Sequence, residues 1–199
     1  MTREELLKVA KPILFNTEMV QAILSNRKTV TRRLIKPQPP EGYDYSQGLS
    51  NLFYAKFLNS NSEIFLSKTP YMAPCLNEEV GDILYVRETW LEADDGIYYR
   101  ADETPVSKEV REKYGYKWRP SIHMPKKLAR IFLKVTDVKV ERLQDITEQQ
   151  ALNEGIKIHP NDTAIQAFSE LWDGIYKDKG YGWKSNPFVW VIEFERVEI

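Results

Sequence analysis

The octapeptide Asn26-Arg27-Lys28-Thr29-Val30-Thr31-Arg32-Arg33 brings a lysine, hydroxyls and three arginines into one short stretch. These residue types can hold an anion, or they can turn a hydroxyl into a nucleophile. A lysine accepts a threonine proton only after losing its own, so its ordinary pKa near 10.4 must first be lowered by burial or by a neighbouring cation. Arg32 and Arg33 are suitable neighbours, and a pocket-buried Lys28 beside Thr31 is an activated pair of the Ser-Lys or Thr-amine type. A plainer reading stands beside this one. Cations that follow a helix C-terminus are favoured by about 0.3–1 kcal/mol through the helix dipole, which accounts for Arg27 and Lys28 but not for Thr31.

Far downstream, Glu154 ends a short helix, where an acid opposes the dipole at a cost of about 0.3–1 kcal/mol. Solvation or a surface salt bridge is the plain account of its tolerance; pairing with Lys28 or Arg33 across a pocket is the sharper one. Arg87 and Glu88 are adjacent on an expected strand and point to opposite faces, so at most one of them enters a given pocket. Trp90 is expected to pack, whereas Trp118 lies on a loop and could stack on a base for about 1–3 kcal/mol. His123 reads as a hydrogen-bonded loop residue. Glu92, Asp94, Asp95 and Asp102 read as solvated turn acids, with a magnesium-binding role as the alternative.

The elements that must position these groups follow from periodicity and punctuation. Residues 11–15 form a short strand, and Thr17 caps a helix with Met19, Val20, Ile23 and Leu24 on one side. Asn26 closes that helix in the left-handed conformation, and the chain then extends through Thr29, Thr31 and Arg33. From 37 to 79 the pattern dissolves into Pro, Gly, Asn and Ser, yet it carries Tyr43, Tyr45, Phe53, Tyr54, Phe57, Phe65 and Tyr71. So aromatic a segment is expected to be an insertion that folds back on the body as a lid.

A strand over 83–90 leads into a hairpin that turns at Asp94-Asp95-Gly96. Residues 102–117 form a second elaboration with a helix near 107–114, and 118–125 form a rigid loop. The strand over 130–143 slips phase near Thr136-Asp137, which predicts a bulge or bend of the kind found where a sheet curls into a barrel. Thr147 and Gln150 make a capping box for the helix that reaches Glu154, with Gly155 as its cap. A helix over 163–175 buries Ile165, Phe168, Leu171, Trp172 and Ile175. The last strand, 188–196, puts Phe188, Trp190, Ile192 and Phe194 on one face.

Composition bounds the rest. A chain of 199 residues with 42% hydrophobic and 29% charged content fits a single α+β domain over 1–199. Its 28 lysines and arginines against 29 aspartates and glutamates leave a formal net charge of -1, so any nucleic-acid contact must be local. The one cysteine, Cys75, forms no internal disulfide, and His123 and His159 are too far apart for metal-ligand spacing. No resident cofactor is expected. With no basic-then-apolar leader and no apolar run of about 18 residues, a cytoplasmic, membrane-free protein is expected.

Taken together, these residues resemble the ASCH domain family of the PUA-like superfamily. The family motif Gly-x-Lys-x-x-Thr-x-Arg maps onto Asn26, Lys28, Thr31 and Arg33, with Asn26 in place of the glycine. Further likeness lies in Gly81-Asp82, Lys134-Val135-Thr136, Thr147-Glu148 through Ala151 to Glu154, and Val191-Ile192-Glu193-Phe194. The blocks occur in family order, and the segments at 87–90 and 118–125 are similar to long bacterial and prophage versions.

The resemblance implies a curled β-barrel surrounded by helices, with a cleft for RNA or a modified nucleoside. Similar small members are amidohydrolases that cleave N4-acetylcytidine; by that likeness Thr31 is the nucleophile, Lys28 its base and Glu154 the stabiliser, with Arg33 holding charge in the pocket. Arg32, Arg87, Glu88 and Trp118 complete the expected substrate-binding set. Other members are ribonucleases or simple RNA binders, so the alternatives are a non-catalytic RNA-binding module or a metal-assisted ribonuclease acting through Asp94, Asp95 or Asp102.

Overall fold

A computed structural model describes residues 1–45, 54–68 and 81–198. Thr2 and Glu5 form a capping box that opens helix α1 (Arg3–Val9), an element the periodicity had not announced. Strand β1 (Lys11–Leu14) and helix α2 (Thr17–Leu24) follow, and then strand β2 (Val30–Leu34). The cap of α2 is Asn16, not Thr17: its Oδ1 accepts from the Met19 amide at 2.8 Å, satisfying one of the free donors of the first turn. After α2, Asn26 takes the left-handed conformation with φ 56°.

The insertion folds into strands β3 (Asp44–Tyr45), β4 (Tyr54–Leu58) and β5 (Ile64–Lys68), which make a small antiparallel sheet. The expected strand over 83–90 is broken in two. Strand β6 (Ile83–Arg87) belongs to the main sheet, while β7 (Trp90–Ala93) pairs with β8 (Gly96–Tyr99) in a separate hairpin. Helix α3 (Pro105–Tyr114) comes next, closed by a left-handed Gly115. The long strand β9 (Phe132–Arg142), helices α4 (Glu148–Asn153) and α5 (Ala164–Tyr176), and strand β10 (Phe188–Arg196) complete the chain. Among the described residues no helix is long and apolar enough to cross a membrane.

The main sheet has the order β1-β6-β9-β10-β2, with only the β1–β6 pair parallel. Glu193 pairs with Asp137 and Phe194 with Val135, so Thr136 is the extra residue and the expected bulge sits there. That bulge bends β9, whose N-terminal end also pairs with β6. The sheet curls, but the expected barrel does not close: β1 and β2 remain its two edges. What joins them is a side chain. Arg33 Nη2 of β2 donates to the Leu14 carbonyl of β1 at 2.8 Å, where a ladder would have required strand-to-strand pairing.

Alternation along β10 serves two cores at once. Phe188, Trp190, Ile192 and Phe194 pack with Ile13, Phe15, Val20 and Ile23 on one face. Val189 and Val191 pack with Val30 and Leu34 of β2 and with Ala151, Phe168 and Trp172 of α4 and α5 on the other. Leu171 is only half-buried and Ile175 is 39% exposed, so the apolar stripe of α5 is narrower than expected. A third cluster sets Leu6 of α1 against Tyr85, Trp90, Met124 and Phe132.

The insertion does fold back on the body, but it docks on the Phe188 end of the first core. Phe57 is fully buried, with its ring 4.8 Å from Phe188, and Tyr43, Tyr45 and Phe65 pack around it. Phe53 and Tyr71 lie outside the described residues. Because Phe57 joins the main core, Phe57→Ala is expected to lower stability by about 3–5 kcal/mol in urea denaturation. An unchanged midpoint would mean that the insertion is not part of the folding unit.

Candidate functional site

Three backbone constraints deliver the motif to one place. The left-handed Asn26 turns the chain so that the Arg27 and Lys28 amides both donate to the Ala22 carbonyl, at 2.8 and 3.1 Å. The Thr29 amide donates to Asn153 of α4 at 2.9 Å, and the Thr29 carbonyl accepts from Phe194 of β10 at 2.9 Å. Lys28 and Glu154 form an isolated antiparallel bridge, which holds the end of α4 against the start of β2. Gly155 makes this approach possible: its φ is +77°, and a Cβ there would stand 2.6 Å from Ala22 Cβ and 2.7 Å from Lys28 Cβ. Only glycine meets both the left-handed conformation and that proximity.

The two ends then meet through charge. Lys28 Nζ donates to Glu154 Oε2 at 2.7 Å, to the Glu154 carbonyl at 2.9 Å and to the Val30 carbonyl at 2.8 Å. An ammonium has three protons, so its donors are all used. The second Glu154 oxygen, Oε1, faces Arg32 Nη1 at 3.3 Å, and Arg32 Nη2 faces Glu141 Oε2 at 3.4 Å. These cations answer the acid that the helix dipole disfavours. Arg32 Nε, by contrast, is buried without a partner. Burial pushes Lys28 below the ordinary lysine value; the Glu154 carboxylate opposes the fall, and Arg33 and Arg32 add to it.

Thr31 is 2% exposed, like Lys28, but none of the three hydrogen bonds of Lys28 reaches its hydroxyl. Strand alternation separates the arginines: Arg32 lies toward α5, 6.0 Å from the Phe168 ring, and Arg33 toward β1, 5.3 Å from the Phe15 ring. Lys28 Nζ stands 5.6 Å from the same Phe15 ring, which makes Phe15 the common neighbour of both cations. Burial lowers the Arg33 pKa from its usual value, with Tyr176 and Glu154 opposing.

The remaining expected residues belong elsewhere. Glu88 is 1% exposed and is engaged by Arg130, Nε to Oε1 at 2.9 Å and Nη2 to Oε2 at 3.0 Å, while Arg130 Nη1 holds Asp102. Burial raises the Glu88 pKa against the pull of Arg130. Arg87 Nη2 donates to the Ile122 carbonyl, and the Arg87 carbonyl accepts from Phe15 at 3.2 Å. Trp118 lines a cavity beside α3 and the β7–β8 hairpin, a cavity that none of Lys28, Thr31, Arg32, Arg33 or Glu154 lines. Asp94 and Asp95 accept from Tyr116 and Tyr98. Among the described residues no three His, Cys, Asp or Glu side chains gather as a metal-holding group.

Among the described residues the five buried polar or charged ones, Lys28, Thr31, Arg32, Glu88 and Glu154, are all ones the motif reading singles out. It missed Phe15, Glu141 and Arg130. Glu141 and Arg130 are charged residues in or beside an ordinary-looking strand, and Phe15 is one aromatic in an apolar run, so no local signal marks their partners. No protein-family model matches the chain, and neither the curated proteins nor the solved structures yield a significant match.

Two substitutions probe this geometry. Glu154→Gln strands two buried cations and is expected to cost about 3–5 kcal/mol by chemical denaturation. Gly155→Ala is expected to cost about 2–4 kcal/mol, from the left-handed conformation and from overpacking against Ala22 and Lys28. A Gly155→Ala protein as stable as the wild type would refute the close approach.

Proposed function

We propose that the chain is an ASCH-type, PUA-like protein that binds a modified nucleoside or nucleotide segment of RNA and hydrolyses an N4-acylcytidine-type amide at Lys28, Thr31 and Glu154. The observation that carries this reading is the convergence of Lys28 and Arg32 on Glu154 from two distant stretches of chain, with the equally buried Thr31 beside Arg32 in the same strand. The motif spacing shared with the family's amidohydrolases supports the assignment of roles. So does the low exposure itself: a buried lysine is poorly placed to grip a phosphate backbone and well placed to change its protonation state.

The resting Lys28 ammonium cannot act as a base, because its nitrogen has no free lone pair until a proton leaves. A single proton shift along the 2.7 Å contact to Glu154 Oε2 converts the ion pair into an amine and a carboxylic acid. Burial favours the neutral amine of Lys28, in the sense of its lowered pKa. Once its lone pair turns toward Thr31, the amine takes the hydroxyl proton while Thr31 Oγ1 bonds to the acyl carbon. The C–N bond then breaks, the departing exocyclic nitrogen takes that proton from Lys28, and water cleaves the threonyl ester to regenerate the hydroxyl and release the acid. Arg33 is the cation on the Thr31 side of the strand and would face the developing oxyanion.

A second reading is a non-catalytic RNA-binding module in which the Lys28 cluster is structural, as its saturated hydrogen bonding supports, and other groups hold the RNA. Chromatographic assay of N4-acetylcytidine hydrolysis separates the two. Thr31→Ala is expected to lower turnover by about a hundredfold or more, and Thr31→Ser to retain most of it. Wild-type turnover in Thr31→Ala would overturn the mechanism, and salt-sensitive RNA affinity that survives Thr31→Ala would establish the module instead. Loss of the shared proton to solvent also leaves Lys28 as the amine, so the rate should climb with pH and level off below the ordinary lysine value of about 10.4.

A further inference from the structure

The cavity beside α3 has a chemistry that the Lys28 site does not use. It encloses about 580 Å³ between the β7–β8 hairpin, α3 and the loop at Trp118. Its walls carry Tyr98, Tyr114, Tyr116 and Trp118, together with Asp94 and Asp95. Tyr98 and Tyr114 are 43% and 64% exposed, so large aromatic surface is left facing solvent in a concave site. Isolated exposed aromatics need no explanation, but a cluster of them lining one hollow does.

The charge of that wall is one-sided. Two of the four acids in the lining are answered by arginines: Glu103 by Arg111 at 2.7 Å, and Asp102 by Arg130. Asp94 and Asp95 have no cationic partner among the described residues and accept only from the phenols of Tyr116 and Tyr98, at 3.3 and 2.8 Å. The Asp95 hydrogen bond holds the Tyr98 phenol above its usual value, and burial with Asp94 does the same for Tyr116. The rings therefore stay neutral and their faces electron-rich. Arg111 already stands 5.7 Å from the Trp118 ring, an internal instance of a cation resting on this wall. The Trp118 indole N–H in the same wall is buried without an acceptor.

We infer that this cavity is a second binding site, separate from the Lys28 cluster, for a small organic cation with a quaternary or primary ammonium group. Aromatic faces attract such a cation through the ring quadrupole, and uncompensated carboxylates add Coulombic attraction without the tight oxygen cage a metal ion demands. The volume suits a ligand of several to a dozen or so heavy atoms, and a bare metal ion would leave it mostly empty.

The test is nuclear magnetic resonance titration of the full chain with choline, spermidine and 3,3-dimethylbutanol, the neutral carbon isostere of choline. The expected result is saturable shifts for choline or spermidine at Tyr98, Tyr114, Tyr116 and Trp118, with the isostere weaker by about tenfold or more. Asp94→Asn combined with Asp95→Asn should weaken the cation by a similar factor while the rest of the spectrum is unchanged. If that double variant does not fold, Tyr114→Ala at an exposed position supplies the same comparison. Equal binding of the neutral isostere, no saturable shift for either cation, or shifts that map outside this wall would overturn the inference.

Discussion

A carboxylate held between two buried cations organises the centre of this protein. Glu154 stands between Lys28 Nζ at 2.7 Å and Arg32 Nη1 at 3.3 Å, and all three side chains are nearly or wholly shielded from water. In such a place an unpaired charge is strongly disfavoured, so the start of β2 and the end of α4 are stable only when docked on one another. The local conformations follow from that requirement. Asn26 must be left-handed to turn Lys28 inward, Gly155 must lack a side chain to let α4 approach, and Thr29 must bridge Asn153 and Phe194. A buried ion cluster is rarely more stabilising than apolar packing of the same volume.

A second charged cluster does a different job at the end of β6. Glu88 leaves the end of β6 and is clamped by both forks of Arg130, which also holds Asp102 and stacks 4.0 Å from the Tyr99 ring. Burial works against the Arg130 charge, but Glu88 and Asp102 outweigh it and raise its pKa. The clamp fixes the β7–β8 hairpin and the approach to α3 relative to the sheet. It also explains why the strand expected over 83–90 breaks after Arg87, since Glu88 must leave the ladder for its side chain to reach the arginine. The two clusters thus divide the molecule: one joins β2 to the end of α4, and the other supports the hairpin wall of the cavity.

The legibility of the chain in its own sequence varied with the range of the interaction. The capping box at Thr147, the left-handed Asn26 and Gly155, and the extra residue at Thr136 are decided within a few positions, and each stands where local reasoning puts it. Even the misplacement of the α2 cap by one residue is a competition between neighbours, with Asn16 reaching the Met19 amide first. Charge oddity was legible too: an acid in a last turn signalled a cationic partner, and of the two candidates the structure pairs Lys28 with Glu154 and supplies Arg32 where Arg33 was the alternative.

The sequence by itself therefore determined the α+β character, most of the main helices and strands and the apolar Phe188-to-Phe194 face of β10, because periodicity and capping are properties of each segment. Only the tertiary structure decided that Lys28 spends its protons on Glu154 and backbone carbonyls and none on Thr31, that Arg32 and Arg33 serve opposite faces, and that Trp118 lines a separate hollow. It also decided that the sheet ends open, with Arg33 reaching Leu14 where a closing ladder was expected. These outcomes depend on which distant groups approach within about 3 Å of one another. That distance is set by the curl of the sheet and the docking of α4, and no local pattern encodes it.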